Sequence, residues 1–334
     1  MSPLQRRHGL AVLTRVRSHV DAGDLPGAQE LLSEILAEIP ADPRKARPAE
    51  AEAVVLQTGV LLSLGEPHAA RGWAAYGHTC LRRLYGDRDR RTLHSLGLLA
   101  AVLTRVGAHS RAVQRYQELI ELFSELDGPQ SERALAAQAD LATVEHARGQ
   151  CQAGRARLSM VIQQHQQVFG TRHPVGIRMI ARLAAMWRDC GEVDHAQALL
   201  TQARAFATGL PPEIHDLLSA VETAPPAEAH VCSGQPLPEV PLPPAVLKVP
   251  GPIDEDTLLM PVAESPFGRP FSTLSYLPAH PELVAWEPSP RTDDDAPEPS
   301  WRLSPATMAL VAAIIGIVAI TVLFLLLVSA AKTS

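Results

Sequence analysis

The chain has 334 residues, room for about two domains, with 46% hydrophobic but only 4% aromatic residues and a formal net charge of −6. Few aromatics argue against a strand-rich core, which draws on β-branched and aromatic side chains, and the slight acidity gives no case for a nucleic-acid binder. Basic residues are nearly all Arg, with Lys only at 45, 248 and 332, a bias that reads as the composition of a GC-rich, bacterial genome.

The N-terminus, "MSPLQRRHGLAVLTRVRSHV", holds a five-residue apolar run before Thr14 and Arg15. A signal-peptide core needs about 7–15 apolar residues, so a cytosolic start is expected. From there the composition divides the chain into residues 1–222, rich in Ala, Leu and Arg; 223–304, rich in Pro and acidic; 305–331, apolar; and a tail at 332–334.

The first zone is a repeat. Gly23, Gly65, Gly107, Gly149 and Gly191 stand 42 residues apart, and five residues after each comes a small residue: Ala28, Ala70, Ala112, Gly154 and Ala196. Leu-Ala precedes the last three glycines by eight residues, at Leu99-Ala100, Leu141-Ala142 and Leu183-Ala184. A second series, Gly86, Gly128 and Gly170, keeps the same step. A period of this length fits two helices of roughly 15 residues with two turns. The first glycines then serve the turn within each helix pair, the small residues let the two helices approach, the leucines form a buried wedge, and the second glycines end each pair. Pro174, after Gly170, starts the next helix, where its missing N–H costs nothing. The expected fold is all-α, a superhelical solenoid of about five helix pairs over residues 1–222.

The stretch "FGTRHPVGIRMIARLAAMWRDCGEVDHAQALL" (169–200) resembles a tetratricopeptide repeat (TPR) of the 42-residue kinesin-light-chain type. "YGDRDRRTLHSLGLLAAVLTRVGAHSRAVQRYQEL" matches the same pattern with Asp89-Arg90 in place of His-Pro, and "DGPQSERALAAQADLATVEHARGQCQAGRARL" matches more loosely. The resemblance covers residues 86–208 best and reaches 1–85 only through the Gly/Ala spacing. It implies a concave surface lined by first helices that binds a peptide or protein. Candidate groove residues carried over from the pattern are His94, Thr104 and Arg105 in the third pair, Thr143 and His146 in the fourth, and Arg178 and Arg188 in the fifth. The three arginines would suit an acidic ligand through forked hydrogen bonds. The light-chain type often carries Asn before Leu-Ala, where this chain has "SLGLLA", "AQADLA" and "MIARLA", so the family's peptide specificity is not transferred.

Nineteen of the 29 prolines fall between Thr223 and Pro305, which blocks helices and removes backbone donors. A disordered linker of this length has an r.m.s. reach of roughly 50 Å. Within it Phe267, Phe271, Tyr276 and Trp286 form a candidate recognition motif, for an outside partner or for the groove in cis at roughly millimolar effective concentration.

Ala306 to Ala331 carries no Asp, Glu, Lys or Arg over 26 residues. At 1.5 Å per residue that is about 39 Å of helix, against roughly 20 residues for a bilayer core. A single transmembrane helix at 305–331 is expected, a tail anchor in the cell membrane that leaves the solenoid cytoplasmic and the C-terminus outside.

Chemistry is scarce. No P-loop, GxGxxG, HExxH, GxSxG or EF-hand pattern occurs, so neither a catalytic constellation nor a cofactor is expected. Cys80, Cys151, Cys190 and Cys232 show no CxxC and no His at ligand spacing, and are expected to be structural thiols with no metal site. His165 and His173 sit at unhelpful spacing on a helix and a turn. The expectation is a non-enzymatic membrane scaffold that binds a protein or peptide. The rivals are a ligand sensor signalling through assembly, for which Gly316 and its Ala neighbours are suited, and an enzyme with an unrecognised site.

Overall fold

The computed structural model describes residues 3–224, 230–239, 241–245 and 247. Among these residues the regular structure is entirely helical. Five antiparallel pairs follow one another: α1 (Pro3–Asp21) with α2 (Leu25–Leu36), α3 (Pro48–Ser63) with α4 (Pro67–Tyr85), α5 (Arg90–Arg105) with α6 (His109–Asp127), α7 (Glu132–Ala147) with α8 (Cys151–Phe169), and α9 (Pro174–Asp189) with α10 (Val193–Ala207). A last helix, α11 (Pro212–Thr223), and a short 3-10 turn, Pro43–Lys45, complete the set.

The helix boundaries follow from local chemistry. Asp89 caps α5, its Oδ1 accepting from the Arg91 N–H at 2.9 Å, and Ser131 caps α7 through the Ala134 N–H at 3.3 Å. Such caps satisfy N–H groups that have no partner within the helix. Pro48 and Pro174 each open a first helix. The glycines of the first series all take positive φ, from 76° to 90°, in the turn between paired helices, and Gly86, Gly128 and Gly170 end α4, α6 and α8 at φ 82°, 95° and 85°.

Packing runs between neighbours. Each helix contacts the next in sequence, and first helices also touch across pairs, α1 with α3, α3 with α5 and α7 with α9. The small-residue positions sit where the paired helices meet: Ala28, Ala70 and Ala112 are 0% exposed. The expected Leu wedge is shared with its neighbour. Leu141 and Leu183 are buried but Leu99 is only half-buried, whereas Ala100, Ala142 and Ala184 are all completely covered.

The Pro-broken connection after α2 is fastened to α4. Tyr76 Oη donates to the Pro40 carbonyl at 2.6 Å, Cys80 Sγ to that of Pro43 at 3.2 Å, and Arg83 to that of Ala46. Burial pushes the Cys80 thiol up to about 12, and Cys80 is completely covered by its neighbours.

Two features extend the five-pair expectation. Helix α11 packs on α9 and α10 through Ile214 and Leu218, 2% and 0% exposed, with Glu213, His215 and Asp216 turned to solvent. It is half of a sixth pair with a polar outer face, the form a terminal cap of a repeat array takes. The second feature lies in the region expected to be linker. Ser233 and Gly234 N–H groups donate to the Gly149 carbonyl at 3.2 and 3.1 Å, and Leu237 N–H to that of Arg148 at 2.9 Å. Glu239 accepts from the Ser110 N–H at the start of α6, and Arg71 in α4 donates to the Pro243 carbonyl. Those contacts fall beside the intra-pair turns of pairs four, three and two, so this stretch is a strap crossing the stack pair by pair. Pro236, Pro238, Pro241, Pro243 and Pro244 favour the extended backbone such a path needs. The motif Phe267, Phe271, Tyr276 and Trp286 and the apolar run 305–331 lie outside the described residues. Among the described residues no helix is long and apolar enough to cross a membrane.

Candidate functional site

The groove candidates divide once their surroundings are known. His94 and Arg105 lie about three turns apart on α5, and both are half-buried. Burial first, and Arg90 second, hold the His94 imidazole down at about 4. The Thr104 and Thr143 hydroxyls are committed to their own helices, donating to the Ala100 and Ala139 carbonyls at 2.9 and 3.1 Å. Arg178 is half-buried in the middle of α9. Arg188, in the last turn of α9, donates to the Val221 carbonyl near the end of α11. Its role is to dock the terminal helix, a use invisible while α11 is unrecognised.

His146 is the clearest correction. It is 5% exposed, so it faces the interior and lines no open groove. Its Nε2 lies 3.2 Å from the Met186 carbonyl and 3.5 Å from Cys190 Sγ. Its ring stacks on His230 at 4.2 Å, tilted by only 9°. His230 Nε2 in turn lies 3.0 Å from Cys151 Sγ, and Cys232 Sγ is 3.3 Å from Cys190 Sγ. The donor atoms of His146, Cys151, Cys190 and His230 all fall within 4.8 Å of one another. Two cysteines and two histidines thus gather in one place, with Cys232 against Cys190 at its margin.

Four pieces of chain build this cluster. His146 comes from the last turn of α7, Cys151 opens α8, Cys190 follows the end of α9, and His230 and Cys232 come from the strap. Gly154 makes the meeting possible. A Cβ there would stand 2.6 Å from the Ala142 carbonyl and 2.9 Å from the His146 nitrogen, so glycine lets α8 settle closer to α7 than its Ala counterparts could. Gly149 plays a similar part for the strap, since a Cβ on it would meet Ser233 Oγ at 2.6 Å. Burial lowers the His146 imidazole to about 3 and lowers His230 as well. Burial also raises the Cys151 and Cys190 thiols, Cys151 to about 11. Arg155, its guanidinium 4.0 Å above the Trp187 ring, acts electrostatically on both thiols and both rings.

A second gathering joins His165 and His173, ring centres 5.1 Å apart, with Glu132 3.8 Å from His173. His165 is 0% exposed and neither ring nitrogen has a hydrogen-bond partner among the described residues. Linear spacing hides both sets. The repeat period would have found part of the first: Cys151 comes two residues after one turn glycine and Cys190 one residue before the next, so stacking makes them neighbours.

No protein-family model matches the sequence, and no curated protein matches it. Solved structures do. A singly substituted form of a Podosopora anserina protein, described as a putative kinesin light chain with nearly identical TPR-like repeats, superposes with a TM-score of 0.51 at 20% identity. That match covers 62% of this chain and 96% of the other. The same protein without the substitution gives 0.49 at 20% identity, over 60% of this chain and 96% of that one. BtubC (BKLC) from P. vanneervenii gives 0.46 at 16% identity, over 63% and 93%. The fold is TPR-like.

Proposed function

We propose that the chain is a membrane-tethered scaffold whose helical repeats recruit a protein or peptide, with the 306–331 run as its anchor and the solenoid on the cytoplasmic side. The observation that carries the reading is the TPR-like stack of five pairs, an architecture typical of protein–protein interaction scaffolds. Such a stack presents a surface of similar first helices, and α1–α3, α3–α5 and α7–α9 contacts bring neighbouring first helices together. Arg105 and Arg178 are the groove candidates that would give this surface a basic character for an acidic ligand, while Arg188 serves to dock α11. The charge-free run from 306 to 331 supports the anchor.

The test is affinity capture with the full chain from native membranes solubilised in mild detergent, against the Arg105→Glu/Arg178→Glu double variant. One stoichiometric protein is expected on the native chain, reduced at least tenfold on the variant while helix content stays unchanged by circular dichroism. Equal retention by the two would remove the groove assignment. No protein retained by the native chain would remove the scaffold reading.

A further inference from the structure

We propose that the Cys/His cluster is a binding site for a divalent metal ion of the zinc class, and that the ion clips the strap onto the solenoid. Cys151, Cys190 and His230 supply three ligands, and the fourth is Cys232 or His146.

The geometry points to an ion. Zinc bonds thiolate sulfur at about 2.3 Å and imidazole nitrogen at about 2.0–2.1 Å, which puts ligand atoms around one tetrahedral ion some 3.3–3.8 Å apart. The contacts here lie at or just inside that range, 3.3 Å between Cys190 and Cys232 sulfurs, 3.0 Å from Cys151 to His230, and 3.5 Å from Cys190 to His146, so a small outward shift of the side chains admits an ion. Mixed sulfur and imidazole donors select zinc-like ions over magnesium or calcium, which take oxygen. Simple core packing accounts for Cys80 but poorly for three thiols converging on two stacked imidazoles at the edge of the fold, where Cys232 is exposed and Cys190 half-exposed.

The environment fits the charge. With Cys232 as the fourth ligand, three thiolates and one imidazole around a divalent ion carry a net −1, which Arg155 beside the cluster balances; with His146 the ligated ion is neutral. If His146 is outside the ligand set, its stacked ring fixes the plane of His230, the supporting role that neighbours of metal-binding histidines play. The placement gives the ion a purpose. Residues 230–239 form no helix or strand, and ordering such a segment costs conformational entropy that a few backbone hydrogen bonds offset only in part. With Cys232 as the fourth ligand the strap supplies two, and α8 and the end of α9 supply two. With His146 the strap supplies one, and α7, α8 and the end of α9 supply three. Either set would join the strap to the fourth and fifth pairs.

The test uses the full chain in detergent, purified without chelators and reconstituted with zinc chloride or cobalt chloride. One zinc per chain is expected by elemental mass spectrometry, and the cobalt form should show thiolate-to-metal charge transfer with the intense visible bands of a tetrahedral site. Cys151→Ser/Cys190→Ser should abolish both, and Cys80→Ser should leave both unchanged. Loss in Cys232→Ser but not in His146→Ala assigns the fourth ligand to Cys232, and the reverse assigns it to His146. Should the double variant misfold, alkylation of the native chain decides: Cys151 and Cys190 should be protected with zinc and become reactive at least tenfold faster after chelation, and Cys232 should follow them only if it is the fourth ligand. Three results would overturn the proposal. They are no stoichiometric metal after reconstitution, metal retained in a folded double variant (which would move it to Glu132, His165 and His173), or a Cys190–Cys232 disulfide as the native state.

Discussion

At the scale of single residues, two glycines inside helices carry opposite instructions. Gly59 in α3 has nothing within 4 Å of where a Cβ would stand, whereas at Gly154 in α8 a Cβ meets two backbone atoms of α7 at under 3 Å. Helix propensity favours Ala over Gly by about 0.8–1.0 kcal/mol at either position. With no clash, Gly59→Ala should stabilise the chain by about 0.5–1 kcal/mol. At Gly154 the backbone has no rotamer to change, so helices must separate, and overpacking of about 1–3 kcal/mol outweighs the propensity. Gly154→Ala should therefore lower the midpoint of urea unfolding, and Gly59→Ala should raise it. Two shifts of the same sign would show that the α7–α8 contact yields freely. That outcome would also weaken the link between Gly154 and the position of His146.

At the scale of helices, α11 closes the stack through Ile214 and Leu218 in the core, Arg188 at its end, and Glu222 paired with Arg204 of α10. Leu218 is completely covered and Ile214 nearly so, and Arg188 holds the Val221 carbonyl. Truncating a buried leucine costs about 2–5 kcal/mol, more than a 12-residue helix held by one face can lose while staying docked. Leu218→Ala should expose α11 to proteolysis within Pro212–Thr223 while α3 to α6 stay resistant. Protection of α11 in the variant would mean that the strap or the polar contacts hold it. The helices of the repeat are legible in the sequence because most of their boundaries carry a chemical mark: a glycine at positive φ, a proline at the first position, or a side-chain cap. Helix α11 is not, since its start at Pro212 falls outside the 42-residue register and no second helix follows it among the described residues. The strap was hidden for a different reason. Its prolines report an extended backbone, and an extended backbone looks the same whether it is solvated or laid across helix ends. Hence His230 and Cys232 could not be joined to His146, Cys151 and Cys190 from spacing alone, and His146 was assigned to the groove.

At the scale of the whole described array, the core is divided. One buried cluster runs from Val12 to Val144 and a second from Leu135 to Leu218, and they meet across α7. Ala134, Ala137, Leu141 and Val144 belong to the first, Leu135, Ala139 and Ala142 to the second. Repeat arrays hold together by nearest-neighbour contacts, so a loss on one side of a seam need not reach the other. Leu32 and Leu158, both 0% exposed, sit on opposite sides of α7. Replacing either by Ala should cost about 2–5 kcal/mol. In native-state hydrogen exchange, Leu158→Ala should accelerate amides of α8 to α11 and leave α1 to α4 unchanged, and Leu32→Ala should do the reverse. The strap works against this independence, because it bonds to the turn at Gly149 beside the seam while Leu242 and Leu247 pack on the first cluster. If exchange rose evenly along the array in both variants, the strap would be transmitting the loss across α7. Repeating the measurement with Ser233 and Leu237 replaced by proline, which removes their N–H donors, should then restore the division.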